Sequence, residues 1–179
     1  NYGCIDSEVV QVADVTLFAQ RGARKVREFR YIGEVDVAGY AAPDITILSE
    51  HLTEGGIKEF AYQQEPESII WSRRGDGTLL GLTYRREEEI VAWHKHIIGG
   101  AFGSGQAKVE SIITLPTDSG EDELYMIVKR TINGVTKQYV EVMKTFDFGS
   151  DTTAAFFVDS GLVYSGSATT TLSGLYHLE

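Results

Sequence analysis

The feature that most constrains this chain is a hairpin that occurs three times. It runs through Val15-Thr-Leu-Phe-Ala-Gln-Arg-Gly22, Ile69-Ile-Trp-Ser-Arg-Arg-Gly-Asp-Gly77 and Tyr125-Met-Ile-Val-Lys-Arg-Thr-Ile-Asn-Gly134. Each copy is an apolar strand, one or two basic residues and a glycine turn. A strand with alternating large residues follows: Val26, Phe29 and Tyr31, then Leu80, Leu82 and Tyr84, then Tyr139 and Val142. Asn-Gly and Asp-Gly supply the positive φ angles that tight hairpins need. The turn glycines fall at 22, 77 and 134, so the unit recurs every fifty-odd residues. Two copies carry a matched strand upstream, Ile57 to Gln63 and Val109 to Leu115, each followed by an acidic link, Glu65-Pro66-Glu67 and Pro116 through Asp122. A fourth strand such as Ile90 to Ile97 completes the unit. Four antiparallel strands at this interval are the pattern of a β-propeller blade, and a blade cannot bury both of its faces alone.

Period-two patterning predicts strands throughout. They span Glu8 to Val12, Val15 to Gln20, Lys25 to Ile32, Ile57 to Gln63, Ser68 to Arg73, Thr78 to Arg85, Ile90 to Ile97, Lys108 to Leu115, Glu123 to Arg130, Val135 to Lys144, Ala155 to Asp159 and Gly161 to Tyr164. One short helix is predicted from Ile45 to Glu54. Asp44 would cap it, Ile45, Leu48 and Leu52 would form one stripe, and Gly55 and Gly56 would stop it. The expected fold is all-β: about three four-stranded antiparallel blade-like units over residues 1–144, one inserted helix, and the start of a second small β module over residues 145–179. Phe18, Trp71, Leu82, Trp93 and Ile127 are the expected core residues.

The net charge of -10 argues against a protein that grips phosphates, which needs clustered Lys and Arg. It suits a solvated surface, or one past which DNA slides without sticking. Cys4 is the only cysteine, so neither an intrachain disulfide nor a cysteine metal cluster is expected. No apolar run approaches the ~20 residues a membrane-spanning helix needs. The chain starts at Asn1 rather than Met, as a fragment or a processed product would.

Chemistry-bearing residues are sparse. Arg74-Gly75-Asp76 is an adhesion-type tripeptide, but it falls in a hairpin turn that wants Gly and Asp for backbone reasons. His94 and His96 project to one strand face and could hold a metal, yet His51 and His177 are far away in sequence and no third ligand is near. Glu87-Glu88-Glu89 and the link Asp118, Glu121, Asp122 and Glu123 are read as solvated turns rather than as glycosidase carboxylates or a calcium loop. No catalytic, cofactor-binding or metal-binding residue is therefore assigned, and no enzyme activity is expected.

The run Ile69 to Tyr84, with Val91-Ala-Trp-His-Lys-His96, Asp44-Ile-Thr, His51-Leu, and Ile127 to Glu141, is similar to a segment of large phage and prophage tail proteins. Phe156 to Ser165 and Gly174 to Glu179 fit the same proteins. These resemble the nozzle, or tail tubular protein B, of short-tailed phages. The resemblance implies a β-propeller-based subunit, made in the host cytoplasm and placed in the virion tail. Its partners would be further copies in a ring and other tail proteins, around a channel through which DNA passes without specific binding. The alternative reading is a receptor- or carbohydrate-binding propeller, or a glycan-degrading enzyme. Such a site would show exposed aromatics clustered with carboxylates on one face.

Overall fold

The computed structural model describes residues 2–34, 37–145, 147–152, 155, 161 and 164–173. Among them there is no α-helix, and the chain is all-β. Among the described residues thirteen strands form successive antiparallel sheets. Sheet 1 is the meander β1 (Val10–Val12), β2 (Val15–Ala19), β3 (Val26–Glu34) and β4 (Val37–Ala41). Sheet 2 is β5 (Ile57–Gln63), β6 (Ile69–Arg74), β7 (Leu79–Arg85) and β8 (Ile90–His96). A two-stranded ribbon, β9 (Ala101–Phe102) and β10 (Gly105–Gln106), leads into sheet 3, which is β11 (Lys108–Pro116), β12 (Asp122–Ile132) and β13 (Val135–Val142). The three repeat glycines, Gly22, Gly77 and Gly134, all have positive φ (103°, 90° and 75°), as their turns demand. The expected strands at 155–159 and 161–164 fall mostly outside the described residues.

The sheets stack face to face through two separate cores. Val10, Val12, Val15, Leu17, Ala19 and Val26 of sheet 1 meet Ile57, Phe60, Ile70, Leu82 and Tyr84 of sheet 2. On the other side of sheet 2, Ala61, Trp71 and Leu79 meet Val109, Ile112, Leu124, Met126 and Val128 of sheet 3. Sheet 2 thus buries both faces, and alternate side chains along each strand go to alternate cores. Successive Ile70 and Trp71 on β6, and Leu79, Leu80 and Leu82 on β7, are all buried. Neighbouring backbones come together at the first strands, β1 beside β5 and β5 beside β11.

Polar clips fix the stacking. The Tyr84 hydroxyl of sheet 2 donates to the buried Glu28 carboxylate of sheet 1 at 2.8 Å. Arg30 and Arg86 face the other Glu28 oxygen at 3.2 and 3.7 Å. Burial, reinforced by this acceptor, raises the Tyr84 hydroxyl well above the ordinary phenol value. Sheets 2 and 3 are joined where an Asp122 carboxylate oxygen accepts the Gln64 and Glu65 N–H groups at 2.7 and 3.3 Å. Within sheet 3, the buried Arg130 presents its Nε and Nη2 to the two Glu141 oxygens at 2.9 and 2.8 Å, and its Nη1 donates to the Gly99 carbonyl.

Several expectations are corrected. The predicted helix at 45–54 is a string of turns, with Ser49 N–H on the Thr46 carbonyl, Leu52 on Ser49 and Gly56 on Thr53. Asp44 does act at its start, but as a local turn: its Oδ1 accepts the Thr46 N–H and hydroxyl at 2.9 and 2.5 Å. Thr46 is thereby buried, while Ile47 and Leu48 are turned outward, Leu48 to 91% exposure, so the apolar stripe never forms. The third unit has three described strands rather than four. Of the expected core residues, Trp71 and Leu82 are buried, Phe18 and Trp93 are half-buried, and Ile127 is exposed. Ile127 lies on the side of β12 facing away from sheet 2, because its neighbours Met126 and Val128 take the core positions.

Candidate functional site

The sequence-singled residues are placed one by one. Arg74 and Asp76 pair with each other inside their turn, and Arg74 also donates to the Leu52 carbonyl at 2.8 Å. Asp76 Oδ1 further accepts the Thr78 N–H at 3.1 Å. The Arg74 guanidinium and these hydrogen bonds hold the Asp76 carboxyl well below the usual range. The tripeptide is spent on its own turn, with both charged groups engaged. Glu87, Glu88 and Glu89 are exposed in a turn. Asp122 is the inter-sheet clip, and Glu123 accepts from Tyr125 at 3.0 Å and pairs with Lys144 at 3.2 Å, so the acidic link does not converge on one point. Cys4 is exposed and free.

His94 and His96 do come together, Nδ1 to Nε2 at 2.8 Å. Both rings meet Trp71 in edge-to-face contacts, at centroid distances of 5.8 and 5.2 Å. The indole Nε1 donates to Gln63 Oε1 at 2.8 Å. The His94 ring lies on Gly81, where a Cβ would collide with it. Burial pushes both imidazoles below the ordinary histidine value, and His94 lowers His96 further. One neutral ring donates and the other accepts. His51 is exposed on the turn segment, and His177 lies outside the described residues. Among the described residues no group of three or more His, Cys, Asp or Glu side chains is placed to hold a metal. No described helix is long and apolar enough to cross a membrane.

Two larger features remain. The first strands of the three sheets run side by side along a groove of about 530 Å³ lined by Glu8 and Gln11 of the first unit, Glu59 and Tyr62 of β5, and Ser111 and Thr114 of β11. Glu59 is held there by Arg73 at 3.1 Å and by the Ser111 hydroxyl at 2.8 Å. The other feature is a pair of apolar faces, exposed among the described residues, at the two ends of the stack. On sheet 1, Phe29, Tyr31 and Tyr40 project away from sheet 2; Phe29 and Tyr40 stack at 5.0 Å and Tyr31 meets Tyr40 edge-on at 5.5 Å. On sheet 3, Ile113, Ile127 and Val140 project away from sheet 2, in register through the pairs Ile113–Tyr125 and Ile127–Val140. Sequence reading held that a repeat unit cannot bury both of its faces alone, but did not say which residues form those faces. The Tyr84–Glu28 and Arg130–Glu141 pairs escaped it altogether, since partners 56 and 11 residues apart carry no local signal. Neither a protein-family model nor a curated protein matches the chain.

Proposed function

We propose that this chain is a structural subunit of a bacteriophage or prophage tail, of the nozzle kind, built from propeller-type blades. The observation that carries the reading is the stack itself. Repeated antiparallel meanders pack face to face, converge at their first strands on one groove, and leave apolar faces at both ends. Such a repeat array is a scaffold whose ends invite further sheets. Its polar side chains are used to hold the fold rather than gathered into a reactive centre: Glu28 and Asp122 join sheets, and Arg130 ties strands within sheet 3. Acidic Glu8 and Glu59 on the groove, with the net charge of -10, suit a wall past which DNA moves, since like charges repel over a Debye length of about 8 Å at physiological salt. Mass spectrometry of purified particles and immunolabelling of their tails test the reading; a protein absent from particles would overturn it.

A second reading, a carbohydrate-binding propeller, is favoured by the aromatic cluster Phe29, Tyr31 and Tyr40. Against it, the Glu28 carboxylate of the same strand points to the opposite, buried face and is already engaged by Tyr84. Binding on a glycan array that is lost on Tyr40→Ala would decide for it.

A further inference from the structure

His94 and His96 lie on β8, the last strand of sheet 2, and take no part in joining the sheets. Their place is built by neighbouring side chains. The register sets Trp71, Gly81 and His94 on one rung across β6, β7 and β8, so they share the face that looks toward sheet 3. Gly81 has no positive φ to account for it, yet a Cβ there would collide with the His94 ring. Glycine inside a strand often marks a close approach, and here it clears the space in which the imidazole crosses β7. Trp71 forms the floor beneath both rings, and its indole is fixed by the 2.8 Å hydrogen bond to Gln63.

The ring nitrogens converge. His94 Nδ1 and His96 Nε2 are 2.8 Å apart, and the Thr83 hydroxyl stands 3.4 Å from His94 Nε2. A proton on His94 Nε2, facing Thr83, leaves Nδ1 its lone pair and sets the tautomer. Imidazole–metal bonds of about 2.0–2.1 Å place two ligands about 2.8–3.0 Å apart at a right angle, and about 3.3–3.4 Å apart in a tetrahedron. The observed separation is the right-angled one. Tetragonal coordination by imidazole is the habit of copper(II), which also stands highest in the affinity order of the divalent ions.

We propose that His94 and His96 form a cis-chelating site for copper(II), with water in the remaining positions. The site goes beyond the tail reading and does not depend on it. On binding, both rings tilt off their common line so that each lone pair meets the metal. The His96 proton moves from Nε2 to Nδ1, so two neutral rings bind the ion with no net release of protons. Burial keeps both imidazoles neutral and their lone pairs available at pH values where exposed histidines begin to lose them. Both residues are half-buried, so the ion reaches them from solvent. Two protein ligands make an open, exchangeable site, unlike the four of a structural zinc centre.

Calorimetric titration of the full chain with copper(II) chloride at about pH 7.5, where histidine is neutral, tests the proposal. A Cys4→Ser background is used because that exposed thiol binds and reduces copper. The expected result is one ion per chain with a dissociation constant below about 100 µM. His94→Gln and His96→Gln should each weaken binding about tenfold or more, while His51→Gln, on the exposed turn segment, should leave it unchanged. Circular dichroism checks that the variants are folded. Electron paramagnetic resonance of the copper-loaded chain needs neither histidine variant: it should show a tetragonal signal split by two imidazole nitrogens. Substoichiometric copper should also broaden the nuclear magnetic resonance signals of His94, His96 and Trp71 before others. A dissociation constant above about 100 µM would overturn the proposal. So would a folded His94→Gln, His96→Gln double variant that binds as well as its parent, or a spectrum with fewer than two coupled nitrogens. Zinc(II) binding tighter than copper(II) would equally overturn it, because it would require the tetrahedral spacing.

Discussion

Trp71→Ala is the sharpest test of how the stack is held. The indole is 3% exposed, meets both histidine rings, and packs in the core between sheets 2 and 3. Truncating a buried tryptophan to alanine costs about 3–5 kcal/mol through lost transfer energy and the cavity left behind. Trp71→Phe separates the terms: it keeps much of the ring but removes the Nε1 donor to Gln63. Gln63 is only half-buried, so water can replace the donor, and that part should cost about 0.5–1.5 kcal/mol. Against a typical domain stability of about 5–15 kcal/mol, the alanine variant should lose roughly a fifth or more. Urea unfolding followed by far-ultraviolet circular dichroism measures both variants. Hydrogen exchange adds location: because Trp71 belongs to only one core, amides of β11 to β13 should lose protection before those of β2 and β3. A loss under about 0.5 kcal/mol for the alanine variant, the usual scatter of a surface change, would refute the assignment of Trp71 to the core. Equal loss of protection in all three sheets would refute the separation into two cores.

Other outcomes follow from individual contacts. Both histidines are held below their ordinary pKa, so the folded chain binds fewer protons there than the unfolded one. Their stabilisation is complete above about pH 6.5 and fades as pH falls through the lowered folded values. Melting curves from pH 8 to pH 5 should therefore show a drop that His94→Gln with His96→Gln reduces; an unchanged drop would refute it. Tyr84→Phe should cost about 1.5–3 kcal/mol, the worth of a hydrogen bond to a charged group, and a double-mutant cycle with Glu28→Gln should show coupling; additivity would break the inter-sheet clip. Ser72 Oγ is buried without a hydrogen-bond partner, so Ser72→Ala should be neutral or stabilise by about 1 kcal/mol, read from the urea midpoint. Gly81→Ala should displace the His94 ring and cost about 1–3 kcal/mol as overpacking does; an unshifted His94 resonance in the nuclear magnetic resonance spectrum would contradict that.

Much of the fold is legible in the sequence because a sheet buried on one or both faces writes a short period. β5 has the bounds its patterning gives, Ile57 to Gln63, and most other expected strands lie within one or two residues of those found. What escaped has physical reasons. β4 is Val-Ala-Gly-Tyr-Ala, poor in strand formers, and it exists because β3 runs on to Glu34 and offers it an edge. The helix reading at 45–54 trusted spacing, but the N–H groups that would continue a helix close three-residue turns instead, Ser49 on Thr46, Leu52 on Ser49 and Gly56 on Thr53. Ile127 was misplaced because Tyr125-Met-Ile-Val128 is apolar throughout, and a run without alternation does not say which face is inward. The open faces were legible as a consequence of repetition, whereas their residues required the register.

Sheet 2 has no solvent side at its centre, and that has a consequence during synthesis. A strand that must be apolar at every position cannot carry the alternate charges that keep a one-sided strand soluble. Leu79-Leu-Gly-Leu82 therefore leaves the ribosome as a sticky segment before β11, the strand that will cover one of its faces, has been made. Charges crowd the two ends of β7: Arg73, Arg74 and Asp76 before it, and Arg85, Arg86 and Glu87 to Glu89 after it. They act as gatekeepers that deter pairing with other nascent chains. Removing the three carboxylates of the second group, by Glu87→Ala, Glu88→Ala and Glu89→Ala together, should leave the finished protein's stability almost untouched while lowering its soluble yield.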